Sequence, residues 1–138
     1  MIVEIKWRRI RGESDLAWDW TRVLYAYLDH LAKEILYIGK ADGITVRQRW
    51  TRSSKVAFWD ALERERGIKK HVVLVGDVAI ESGRRLSREL LADVESLLIK
   101  RVQPWGNIMN RESRISRPGL RVVCVGGWSG WSSEYQDR

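Results

Sequence analysis

Apolar residues first recur at every second position: Val3, Ile5 and Trp7 alternate with Glu4, Lys6 and Arg8. That period predicts a strand with one wet face. Residues 12–15 are turn-like. Trp18 and Trp20 follow and suit packing over a core edge, with base stacking as the alternative use. Two short apolar runs, residues 23–28 and 35–38, are separated by polar residues including Asp29, His30, Lys33 and Glu34. They predict two strands joined as a hairpin. Over residues 46–66, Trp50, Val56, Ala57, Trp59 and Leu62 allow an amphipathic helix, interrupted or capped near Ser53-Ser54 and stopped at Gly67. Residues 71–80 are rich in valine, as a buried strand is, and predict a third partner for the hairpin. The clearest helix covers residues 86–102. There Leu86, Leu90, Leu91, Val94, Leu97, Leu98 and Val102 recur at three and four, and Pro104 ends the run.

Residues 108–118 read as a basic loop carrying Arg111, Arg114 and Arg117, residues 120–125 as a final strand, and residues 126–138 as a loose tail on which Trp128 docks. The whole predicts an α+β fold in one domain, residues 1–138. Its core, residues 22–107, has a small antiparallel three-stranded central sheet flanked by helices. The strand of residues 120–125 is available to pair with that of residues 2–7, so that N- and C-terminal strands extend the sheet.

The composition adds a partner. An apolar share of 44% is ordinary, but a net charge of +7 and a pI near 9.9 are not. Arginine outnumbers lysine, and its planar fork suits phosphate oxygens. DNA is the expected partner, because basic side chains replace counterions on phosphate; a solvated surface is the plain alternative. Cys124 is the only cysteine, which excludes an intrachain disulfide and a thiolate metal cluster and suits a small buried strand residue. No signal-peptide pattern opens the chain and no run approaches ~18 apolar residues, so a cytoplasmic, intracellular setting is expected.

Candidate chemistry gathers around the hairpin. Tyr25 and Tyr37 stand in its two strands. Lys40 follows Tyr37 closely, and Arg47 comes ten residues after it, beyond a turn at Asp42-Gly43. Fixed positive charge beside a proton acceptor suits a phosphodiester better than an apolar ligand. Tyr27 lies two residues from Tyr25, on the same strand face, and competes with it for the first position. Arg49, Arg52 and Lys55 crowd the next segment, and Lys69 and Lys70 precede His71. These are candidate phosphate contacts, with solvated faces as the alternative. Glu95 stands at the edge of the apolar stripe of the long helix and needs a partner. A salt bridge to Arg88 or another basic residue and a metal ion are the two readings.

Val23-Leu24-Tyr25, Tyr37-Ile38-Gly39-Lys40, Arg47 and the segment Glu95-Ser96-Leu97-Leu98-Ile99-Lys100 … Pro104-Trp105-Gly106-Asn107 together resemble the GIY-YIG nuclease family, and within it the nuclease domain of the excision-repair incision subunit. The likeness spans about residues 22–107. Val23 stands where the family has glycine, and Thr51 stands four residues after Arg47, where relatives often carry histidine or tyrosine. The resemblance implies a divalent-metal-dependent DNA endonuclease that hydrolyses phosphodiesters by water attack. In it, Tyr25 would be the proton acceptor, Tyr37 would orient the water or phosphate, and Arg47, with Lys40, would stabilise charge. Glu95 would hold one Mg²⁺ or Mn²⁺, and Asn107 would fix the site from behind. Two other readings stay open: a non-catalytic nucleic-acid-binding module on the same fold, motivated by the departures at Val23 and Thr51, and a basic interaction subunit that uses its tryptophans.

Overall fold

The computed structural model describes residues 1–31, 33–51, 53–80, 85–110 and 118–137. Arg52, an expected phosphate contact, and Arg111, Arg114 and Arg117 of the basic loop lie outside the described residues. Strand β1 (Ile2–Arg9) leads through a 3-10 turn (Leu16–Asp19) to the hairpin of β2 (Val23–Asp29) and β3 (Ile35–Ala41). Helices α1 (Val46–Trp50) and α2 (Ser53–Arg66) precede β4 (His71–Ile80). Helix α3 (Arg88–Val102) and a second 3-10 segment (Trp105–Asn110) precede β5 (Arg121–Gly126) and β6 (Glu134–Gln136).

The sheet has six strands in the order β3-β2-β4-β1-β5-β6, which corrects the expectation of a three-stranded central sheet. The hairpin and β4 are adjacent as expected, but the sheet does not end there. β4 is long enough to serve two neighbours. Its residues from His71 to Gly76 pair with β2, and its residues from Leu74 to Ile80 pair with β1, both antiparallel. The other edge of β1 then takes β5 in parallel register. The N-terminal strand is therefore interior, although its burial follows the predicted alternation: Val3, Ile5 and Trp7 in, Glu4, Lys6 and Arg8 out.

The tail expected to be loose also joins the sheet. Residues Glu134 to Gln136 pair with β5, and Tyr135 is buried. Trp128 stacks on Trp7 with ring centroids 4.9 Å apart, and its Nε1 donates to the Tyr135 hydroxyl and to the Ser132 carbonyl. The turn that returns the chain needs Gly126, at φ +81, because a Cβ there would collide with the Trp7 carbonyl.

One face of the sheet carries Val3, Ile5, Leu24, Ala26, Ile38, Leu74 and Val122 under the apolar stripe of α3, namely Leu90, Leu91, Val94, Leu97 and Leu98. Each such leucine contributes about 1.5–3 kcal/mol by leaving water. Helix α3 is capped by the Ser87 hydroxyl and ends at Gln103, whose left-handed backbone precedes Pro104. The opposite face carries Val23, Tyr25, Tyr27, Val73 and Val75, covered by Ile10, Trp18 and Val46 and by the half-buried Trp50, Phe58 and Trp59. Among the described residues, no helix is long and apolar enough to cross a membrane.

Candidate functional site

The site is built on the hairpin. Residues two apart on a strand share a face, so Tyr25 and Tyr27 both point to the side covered by α1 and α2. Tyr27 pairs directly across the ladder with Tyr37, and Tyr25 pairs with Gly39. The Tyr27 and Tyr37 rings lie 5.6 Å apart and 20° from parallel, while those of Tyr25 and Tyr37 lie 6.1 Å apart. A Cβ on Gly39 would come within 2.5 Å of Tyr25 Cζ and Oη. The glycine of Tyr37-Ile38-Gly39 is thus a space requirement: it lets the Tyr25 phenol lie across β3. Lys55, expected on a phosphate track, places its ammonium 3.9 Å from the centre of the Tyr37 ring and 5.5 Å from that of Tyr27.

The phenols are held neutral. Burial pushes Tyr25 and Tyr27 far above the ordinary phenol range, and the neighbouring Tyr37 adds to both shifts. Tyr37 is raised chiefly by burial and also by Glu95. Against this, the Arg49 charge favours the phenolate at all three. The Tyr27 hydroxyl is buried without a hydrogen-bond partner among the described residues.

Strand β3 lies at the edge of the sheet, and later parts of the chain cover its outward backbone groups. Asn107, 2% exposed, accepts from the Ile38 N–H at 2.8 Å and donates from Nδ2 to the Ile38 carbonyl at 2.9 Å. It mimics a strand neighbour for the middle residue of Tyr37-Ile38-Gly39. Asn107 itself interrupts the 3-10 segment with a non-helical backbone, and its N–H is held by the Pro104 carbonyl.

Glu95 approaches the same edge from α3. Burial raises its pKa above the usual carboxylate value, while the Lys40 and Arg49 charges and the Lys40 backbone N–H oppose that rise. Lys40 and Tyr37 sit on opposite faces of β3, and the Glu95 charge acts on both. Of the basic residues open to it, Arg88 is instead paired with the nearly buried Asp42 at 3.1 Å, and Lys40 and Arg49 supply the positive charge near the carboxylate.

The two arginines of α1 part company. The buried Val46 and the half-buried Trp50, four residues apart, face the sheet, and Arg47 and Arg49 flank that line on opposite sides. Arg47 turns to the N-terminal segment. It donates to the Glu13 carbonyl at 3.0 Å, pairs with Asp19 at 3.5 Å and lies 5.6 Å from the centre of Trp18. Arg49 turns to the phenols and Glu95, and its Nε is buried without a hydrogen-bond partner among the described residues. The arginine that reading by spacing put at the phenols is thus fastened elsewhere, and one assigned to the phosphate track occupies that place. Thr51 closes α1 by donating from its hydroxyl to the Arg47 carbonyl at 2.9 Å.

His71 is part of the aromatic packing. Trp59 stacks on it at 4.0 Å, and Trp50 Nε1 donates to its Nε2 at 3.1 Å, an arrangement open only to the neutral ring. Burial lowers its pKa accordingly. Lys69 and Lys70 are exposed beside a cleft of about 580 Å³ that Arg66 and His30 also line, away from the phenols. Cys124 is buried, and its thiol is pushed up to about 12, chiefly by burial, so it stays protonated. No protein family, curated protein or solved structure matches this chain.

Proposed function

We propose that the chain is a DNA endonuclease that hydrolyses phosphodiesters with the help of one divalent cation. The carrying observation is the electrostatic coupling of Glu95 on α3 with Tyr37 and Lys40 of the edge strand and with Arg49 of α1. A carboxylate, a phenol and two cations so coupled suit a phosphate that must be gripped and polarised. The resemblance of the hairpin and α3 segments to GIY-YIG nucleases points the same way.

Glu95 fits a hard cation in one mode. Among the described residues, no three His, Cys, Asp or Glu side chains gather. Mg²⁺ is commonly held by one or two carboxylates, with retained waters and substrate phosphates completing its shell. The raised pKa of Glu95 means that Lys40 and Arg49 leave its charge under-compensated, so a further cation would be welcome. Glu95 would hold that ion, which when bound would supply Lewis-acid stabilisation of charge on the phosphate and leaving oxygen.

The protein groups divide the remaining work. Lys40 and Arg49 bind phosphate oxygens. Tyr37 orients the attacking water, and Lys55 covers its ring. Tyr25 accepts the water's proton, directly or through a neighbouring phenol, once cations near the phenols offset the burial that favours the neutral form. Tyr27, the direct cross-strand neighbour of Tyr37, competes for that role.

The test is cleavage of supercoiled plasmid in Mg²⁺ or Mn²⁺, with and without EDTA, by wild type, Glu95→Gln, Tyr25→Phe and Tyr27→Phe. Loss of at least about a hundredfold in Glu95→Gln and in one tyrosine variant is expected, with melts unimpaired. A second reading, a non-catalytic DNA-binding module, is favoured by the neutral phenols and by the engagement of Arg47 with Asp19. Salt-dependent DNA binding without cleavage by the wild type would select it.

A further inference from the structure

We infer that Arg49, rather than Arg47, is the guanidinium that grips the scissile phosphate; this rests on the nuclease reading above and names the anion-binding group of that site. The two candidates lie two residues apart on a five-residue helix, and the packing of that helix decides between them. Val46 is fully buried and Trp50 half-buried against the aromatic face, which fixes the azimuth of α1. Thr45 and Gln48 fix its start through a reciprocal capping box, and Val46 N–H donates to the Trp20 carbonyl at 3.1 Å. With the helix held at these points, Arg47 faces the N-terminal segment and Arg49 faces the rim.

The partners of each side chain agree with this. The Arg47 guanidinium is already engaged three ways: the Glu13 carbonyl, the Asp19 carboxylate and the Trp18 ring. Reaching a phosphate at the phenols would require giving up all three. The Arg49 guanidinium has a buried Nε without a hydrogen-bond partner among the described residues. A buried donor left unpaired is costly, more so when charged, and an incoming phosphate oxygen removes that penalty. Among the described residues, Arg49 is also the one arginine whose charge acts on Tyr25, Tyr27, Tyr37 and Glu95 together. A phosphate bound to it is therefore in reach of both the proposed proton acceptor and the proposed cation ligand.

The geometry also gives Arg47 another task. Its contacts tie α1 to the 3-10 turn, so it holds the helix that presents Arg49. Arg47 is a positioning residue, and its loss is felt through Arg49.

Single-turnover plasmid cleavage by Arg49→Ala, Arg49→Lys and Arg47→Ala tests the assignment, with melting curves for each and with added guanidinium ion at tens of millimolar. Arg49→Ala is expected to lose at least about a hundredfold in rate and to recover part of it with guanidinium. Arg49→Lys keeps the charge and controls for folding; it is expected to lose less. Arg47→Ala is expected to lose less than Arg49→Ala and to gain nothing from guanidinium. A larger loss in Arg47→Ala, rescued by guanidinium, overturns the assignment and leaves the nuclease reading standing. If the wild type does not cleave in either metal, the nuclease reading falls, and the Nε–Hε NMR resonance of Arg49 decides the inference separately. A shift of that resonance on addition of a short DNA duplex, with the Arg47 resonance still, upholds Arg49 as the phosphate-binding group. A still Arg49 resonance overturns it.

Discussion

Removing Asn107 isolates the contribution of one side chain to the edge strand. Asn107→Ala deletes both an acceptor and a donor that face the Ile38 backbone at 2.8 and 2.9 Å. At 2% exposure, little water stands ready to replace them. A buried polar group left unsatisfied costs about 1–3 kcal/mol, and two are orphaned, so about 2–4 kcal/mol is expected after partial relief by water. For a chain of this length that is a fall in Tm of roughly 8–15 °C. The Ile38 amide should also lose protection in hydrogen exchange, beyond any general loss. Asn107→Asp sharpens the test. Its carboxylate still accepts from the Ile38 N–H but faces the Ile38 carbonyl with no proton to donate. Protonation restores a donor, so the folded pKa of Asp is raised, and its stability is retained at acidic pH and lost as pH rises through that value. Asn107→Asp should therefore recover toward wild type near pH ~4, and Asn107→Ala should not. An Asn107→Ala variant that melts within about 2 °C of wild type, with Ile38 still protected, would refute the reasoning.

Glu95 gives a pH signature of opposite sense to an ion pair. Its folded pKa is raised above the ordinary 4.5, so the linked stability is present below that value and lost as pH rises through the folded one. Glu95→Gln should thus melt above wild type near pH ~7.5 and match it near pH ~4; a lower Tm at neutral pH would mean that the pairing with Lys40 and Arg49 dominates. Gly39→Ala places a Cβ 2.5 Å from Tyr25 Cζ and Oη and should cost about 1–3 kcal/mol of overpacking. A double-mutant cycle with Tyr25→Ala should show that cost relieved, and simple additivity would sink the close-approach account. His71 has a depressed pKa, so its contribution is present above ~6.5 and lost as pH falls through the folded value. His71→Phe should flatten the stability slope between about pH 7 and 5, and an unchanged slope would place the titration elsewhere.

What the sequence made legible was periodicity. The alternation of Val3, Ile5 and Trp7, the three-and-four spacing from Leu90 to Leu98, and the positive-φ stop at Gly67 all sit on the elements expected. Strand adjacency was legible only in part: β4 beside the hairpin and β5 beside β1 were expected, but the place of β1 against β4 was not, because it depends on which edge a long strand leaves free. β4 reads as one apolar run, yet it is divided between β2 and β1. The tail was misjudged for a related reason. Its three-residue strand is too short to show a period, and the stack of Trp128 on Trp7 that holds it joins the two ends of the chain.

The site shows the same division between spacing and direction. The resemblance grouped Tyr25, Tyr37, Lys40, Glu95 and Asn107, and the fold puts Tyr37 and Lys40 on edge strand β3 and Tyr25 on its neighbour β2, but a five-residue helix with arginines at alternate positions carries no mark of which side faces the chemistry. That side is set by Val46 and Trp50, whose burial is a property of the folded face. The edge itself explains why residues so far apart in sequence converge. Among the described residues β3 has no strand beyond it, so its outward N–H and C=O groups must be met by something else. Asn107 meets Ile38, and Glu95 stands by the N–H of Lys40. Both lie in the same stretch of chain, on α3 and just past its end. The element that closes the sheet against unwanted pairing is therefore also the one that delivers a carboxylate to the rim beside Tyr37. Protection of the edge and assembly of the charged cluster are two consequences of docking α3 on β3, and a substitution that loosens that docking should weaken both together.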